Sequence, residues 1–146
     1  MNAATMTRIL GVGVLTGMRS MSGAATLFAR HHSVLAPAAA MLAAGEMVAD
    51  KTPFVGNRTD ALPQVGRAVM GAVVGGFVAH EEGAAVWLGA TIGAAAAVAA
   101  THLAYRLRTR VPLPTMAAGL IEDALVIGAG ALYVRRGGRS RQAVTA

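Results

Sequence analysis

The sequence predicts an all-α integral membrane protein, a bundle of four to five transmembrane helices of which one is broken or re-entrant. Three observations carry that expectation. The 146 residues are 55% hydrophobic. Their apolar side chains come in long runs rather than in the alternation of half-buried strands. Most of the thirteen Lys and Arg sit in short clusters between those runs or at the C-terminus, as at Arg135, Arg136, Arg139 and Arg141. The length allows one domain, read as residues 1–136, with a basic, flexible tail over 137–146.

A spanning helix needs about 20 apolar residues at 1.5 Å rise each. The first candidate runs from about Ile9 to Phe28, with Arg19 at its middle. Arg8, ILGVGVLTGM and SMSGAA also have the order of parts of a secretory signal. Arg19 interrupts that order and the apolar run resumes at once, which favours a retained helix. The second candidate, about Ser33 to Ala49, is short, opened by Ser33 and Pro37 and closed by Asp50 and Lys51. A polar connection follows, with Pro53, Gly56, Asn57 and Pro63 as turn formers. The third helix, about Leu62 to Ala79, carries Arg67 near its start and ends at His80, Glu81, Glu82 and Gly83. The fourth, Ala84 to Tyr105, is the cleanest span and stops in RLRTRVP, where Arg106, Arg108, Arg110, Pro112 and Pro114 mark an interface and a break. The fifth, about Leu113 to Val134, contains Glu122 and Asp123.

Orientation is weakly determined by charge. Five crossings place seven basic residues on one side and five on the other, a small bias for the positive-inside rule. A re-entrant last segment changes that to eleven against one, which favours re-entry or a break of the fifth helix at Glu122 and Asp123; insertion in both directions is the other reading. AAGEMVAD and AAGLIEDA echo each other as an inverted repeat would, but such matches arise easily in an Ala- and Gly-rich chain. Three GxxxG spacings occur, at Gly13 and Gly17, Gly71 and Gly75, and Gly89 and Gly93. With 18 Gly in the chain, roughly two arise by chance, so the count is little evidence of a dimerisation face.

Several function classes are disfavoured. The formal charge of +6 flanks apolar segments instead of lining a solvated surface, which points to lipid phosphates and away from nucleic acid. Zero Cys excludes disulfide and thiolate chemistry. No nucleophile and base pair, phosphate loop, haem-attachment motif or zinc helix occurs, so an enzyme is disfavoured and no cofactor is expected. His31 and His32 read as interfacial, His102 as a bundle-facing hydrogen bonder, Glu81 and Glu82 as a solvated turn, and the eight Met as gap fillers.

The informative residues are the charges inside apolar runs: Arg19, Glu46, Asp50, Glu122 and Asp123. Such groups cost several kcal/mol in hydrocarbon unless they face a bundle interior or a wet cavity. Glu46 and Asp50, four apart, share one helix face, where two carboxylates resist ionising together unless a cation sits between them. Glu122 and Asp123 point about 100° apart and serve different partners. Four acids against Arg19 leave a surplus of negative charge, which Lys51, Arg58 and Arg67 would partly cancel by folding over the site.

GMRS (Gly17 to Ser20), GEMVADKTP (Gly45 to Pro53), NRT (Asn57 to Thr59), Arg67 and IED (Ile121 to Asp123) together resemble the uncharacterised bacterial membrane family known as domain of unknown function 4126. The resemblance spans about Arg8 to Tyr133, and its most specific part is E-x-x-x-D-K-x-P with a downstream Arg. It implies an all-helical membrane fold and the suspect residues Arg19, Glu46, Asp50, Lys51, Arg58, Glu122 and Asp123, without a mechanism. Many relatives carry Pro shortly after the GxRS element, where this chain has Ser22 and Gly23.

The expectation is a multi-pass protein of the bacterial inner membrane, a homo-oligomer in contact with membrane lipids, that handles a small cation, proton or cationic solute at those residues; whether a metal binds there is open. The rival from another class is a scaffold or lipid-binding protein whose buried charges only pin the bundle. An intramembrane lipid-modifying enzyme is a third reading.

Overall fold

The computed structural model describes residues 1–49, 61–110 and 114–142, the side chains of Ala49, Leu62, Thr115 and 136–142 apart. Six helices and no strand appear among the described residues. They are α1 (Ala3–Met18), α2 (Ser22–Arg30), α3 (Ala36–Ala49), α4 (Ala61–Glu81), α5 (Val86–Arg110) and α6 (Thr115–Gln142). Asn2 opens α1, its side-chain oxygen accepting the Thr5 N–H at 2.8 Å. Among the described residues two helices, Val86–Arg110 and Met116–Arg135, are long and apolar enough to cross a membrane.

The expected single helix from Ile9 to Phe28 is two helices, and this is the main correction to the sequence reading. Arg19 adopts an extended conformation, φ −143° and ψ 119°, and the chain turns back. Gly23 of α2 lies against Val12 and Thr16 of α1. At the open end of this hairpin, Arg8 pairs with Glu82 and His31 with Glu81, so both arms return to the same turn between α4 and α5. Arg8 and Arg30, expected on opposite faces, therefore share one end. The Arg30 guanidinium stacks over the Tyr133 ring at 5.1 Å.

The fifth candidate helix shows the converse. No break occurs at Glu122 and Asp123, and α6 runs on to Gln142, into the stretch read as a tail. No Pro, Ser or Thr stands between Met116 and Arg135 to break the backbone ladder or compete with it.

The three GxxxG pairs are consumed inside the chain. Gly71 and Gly75 of α4 meet Gly89 and Gly93 of α5 so closely that a Cβ on Gly93 would stand 2.2 Å from the Gly71 carbonyl oxygen. A Cβ on Gly17 of α1 would stand 2.2 Å from the Ala97 oxygen on α5. Backbone contact of this kind is how thin helices gain van der Waals energy where lipid removes the hydrophobic drive for association. α3 is the peripheral element, packed chiefly on α2.

Charged side chains are buried beside an apolar core that includes Ile9, Val12, Leu27, Val74 and Val78. Arg19 is the largest fully buried side chain, and Arg67, Glu122 and Asp123 are buried with it, whereas Met41, Trp87, Leu103, Leu125, Ile127 and Leu132 are exposed.

Candidate functional site

The hairpin tip is where the chain gives up its own helical hydrogen bonds, and other elements replace them. Ser22 Oγ donates to the carbonyls of Leu15 and Arg19, the competition of a short hydroxyl side chain with the backbone that ends helices. Thr101 Oγ1 on α5 donates to the Gly17 carbonyl at 2.8 Å. On the other side of the turn, Glu46 of α3 accepts the N–H of Ser20 at 2.8 Å and that of Met21 at 3.1 Å, one carboxylate oxygen each. The first N–H groups of a helix have no partner within it, and their partial positive charge favours an anion there.

Arg19 points from this tip to α6. Its Nε donates to Asp123 Oδ1 at 2.9 Å and Nη2 reaches the same oxygen at 2.5 Å. Arg19 is 0% and Asp123 7% exposed, so this pair is removed from solvent almost completely. Arg67 of α4 brings Nη2 to 3.8 Å from Glu46 Oε1. Glu122, 9% exposed, lies within electrostatic reach of Arg19, Arg108 and Arg67 as well as of Asp123. Arg108 itself lies against Gly119 of α6. A cleft of about 180 Å³ reaches Glu122 and Arg108 between walls of Met18, Leu107, Ile121 and Leu125.

Four of the expected residues, Arg19, Glu46, Glu122 and Asp123, thus gather around one backbone turn. Asp50, Lys51 and Arg58 lie outside the described residues. The expected surplus of negative charge is absent among the described residues: Arg19, Arg67 and Arg108 stand among Glu46, Glu122 and Asp123, three against three. RLRTRVP predicts an interfacial Arg108; in the fold α5 continues to Arg110 and Arg108 lies against Gly119 of α6. Thr101 and Ser22 were missed. A hydroxyl inside an Ala-rich helix gives no sign of which carbonyl it will serve until the helices are packed.

The outlying polar groups do smaller jobs. His31 sets its ring edge against Phe77, 5.9 Å between centroids, while pairing with Glu81. His102 is exposed and meets Gln64 at 2.8 Å, tying α5 to α4. Among the described residues no group of three His, Asp or Glu side chains is placed to hold a metal ion. No protein-family model matches the chain, and neither a curated protein nor a solved structure is found to be similar to it.

Proposed function

We propose that this chain is a multi-pass protein of the bacterial inner membrane, related to domain of unknown function 4126, that passes a proton through the carboxylates at its hairpin tip. In this reading α3, α4, α5 and α6 make four crossings, and α1 with α2 enters and leaves by one face. Two helices long and apolar enough to cross a membrane, and exposed large apolar side chains such as Met41, Trp87 and Leu125, support a membrane setting. Irregular backbone at membrane depth is tolerated where it is buried in protein or lines a polar cavity, as this turn is.

The observation that carries the reading is the joint hold of Glu46 and Asp123 on the tip, one on its N–H groups and one on Arg19. A charge-balanced cluster has little net attraction for a metal cation. A proton is different, because adding one to a carboxylate releases a guanidinium or a helix end, and binding is thereby coupled to movement of the turn. Buried ionisable groups in a membrane protein default to such work.

The test is flux into proteoliposomes carrying an internal pH dye, under an imposed pH gradient. Glu46→Gln combined with Glu122→Gln should lower proton flux at least tenfold while helix content and oligomer size are kept. Unchanged flux from a folded double variant overturns the reading. The second reading, a scaffold with structural charges, is favoured by one observation: Asp123 already faces a guanidinium, and Glu46 a guanidinium and two backbone N–H groups. It expects the same substitutions to lower the melting temperature and leave flux at the background of empty vesicles throughout.

A further inference from the structure

Away from the charged tip, α2 forms the floor of a groove whose walls are α3 and α6. Its volume is about 350 Å³, and its lining is almost all small or aliphatic, including Ala40 and Ala44 on α3, and Ile127 and Ala131 on α6. All four are exposed, so the groove opens outward. It runs along α6 from Val126 to Val134, about 12 Å at 1.5 Å per residue. One leaflet of a hydrocarbon core about 30 Å thick is of similar depth. The inner end lies near Ser22 and Met47, close to the hairpin tip.

Size and charge select the occupant. A helix is about 10 Å across with its side chains. An extended acyl chain is far thinner. At the outer end the groove is lined by Ala29 and Val134, and the residues that follow them are Arg30 and Arg135. Arg30 is held by its stacking on Tyr133, and α6 continues through Arg136, Arg139 and Arg141. A basic cluster directly beyond an apolar slot matches an anionic headgroup above its own chain.

We infer that this groove binds one anionic phospholipid, an acyl chain lying between α3 and α6 and the phosphate at Arg30 and Arg135. The site is separate from the carboxylates, so it stands whether or not protons cross there. It gives α3, which packs chiefly on α2, a second partner along its length.

Native mass spectrometry of the delipidated full chain, offered dioleoyl phosphatidylglycerol or dioleoyl phosphatidylcholine, tests this. The natural sequence should retain one phosphatidylglycerol at concentrations where phosphatidylcholine is lost. Ala44→Phe with Ala131→Phe should weaken that retention at least tenfold at unchanged helix content. Arg30→Gln with Arg135→Gln should keep lipid binding and abolish the preference. Should the filled variant lose its fold, Ala131→Leu alone supplies the same comparison with a smaller side chain. Equal retention by filled and natural proteins overturns the inference, as does equal retention of the two lipids by the natural sequence. A change from dimer to monomer with the lipid count unaltered also overturns it, and assigns the groove to a second copy.

Discussion

Glu46 stands opposite Ser20 and accepts its backbone N–H at 2.8 Å, so a side chain of α3 completes a turn that the α1–α2 hairpin leaves open. The same carboxylate takes the Met21 N–H. Replacing Glu46 by Ala should leave both half-buried donors without their acceptor, at about 1 kcal/mol each, the low end of the cost for a buried group. Glu46→Gln keeps one carbonyl oxygen and should recover part of the loss. Thermal unfolding in detergent, with amide exchange at Ser20 and Met21, measures it; a melting temperature for Glu46→Ala equal to that of the natural sequence would remove the capping role.

Asp123 and Arg19 form the most deeply buried ion pair described. Removing one partner of such a pair leaves an uncompensated charge and costs about 3–5 kcal/mol, while replacing both with apolar side chains is close to neutral. Asp123→Leu should therefore be strongly destabilising, and Arg19→Met with Asp123→Leu should restore much of the stability. A double-mutant cycle on unfolding midpoints reads the coupling, and additive effects would show that the two side chains act independently.

Much of this arrangement was legible in the sequence, because a charge among Ala, Val and Leu has so few places to go. Arg19, Glu46, Glu122 and Asp123 were identified in that way and do converge. The position of the break was not legible. The turn is made by Ser22 on two carbonyls, Thr101 on a third and Glu46 on the N–H groups. Those partners come from helices remote in sequence, and periodicity cannot register them. For the same reason RLRTRVP marks Arg108 as interfacial, and only the packing of the helices sets it beside Gly119 and Glu122.

The α4–α5 contact makes a contrast between glycines. A Cβ on Gly93 would collide with backbone on α4, whereas one on Gly45 or Gly66 would meet nothing within 4 Å. Gly93→Ala should lower stability by about 1–3 kcal/mol, the usual cost of overpacking. Gly45→Ala and Gly66→Ala should be neutral or stabilising by up to about 1 kcal/mol through helix propensity. Melting temperatures of the three variants in one detergent decide it, and a loss in Gly66→Ala equal to that in Gly93→Ala would show that close approach is not what the glycines provide.

Thr101 serves a carbonyl that the hairpin leaves unpaired, that of Gly17. Thr101→Val keeps the shape and removes the donor, and should cost about 1–3 kcal/mol; Thr101→Ser should behave like the natural protein. The pair of variants separates the hydrogen bond from packing, and equal melting temperatures for Val and Ser would assign Thr101 to packing alone.

The absence of Cys makes the hairpin itself testable by single-cysteine labelling in intact cells or sealed vesicles. A single span through Arg19 would put Ala4 and Val34 on opposite faces of the membrane. In a hairpin that ends with Arg8 on Glu82 and His31 on Glu81, both lie on one face, and Thr109, near the far end of α5, lies on the other. Val34 is 93% exposed, so labelling there should be unhindered. Ala4→Cys and Val34→Cys should be modified by an impermeant maleimide from the same side and Thr109→Cys from the opposite side. In a population inserted both ways, each position would be half-labelled from each side, and the single-side comparison would then be made in vesicles sorted by a C-terminal tag. Opposite-side labelling of Ala4→Cys and Val34→Cys would make α1 and α2 one crossing and take away the turn on which Glu46 and Asp123 converge.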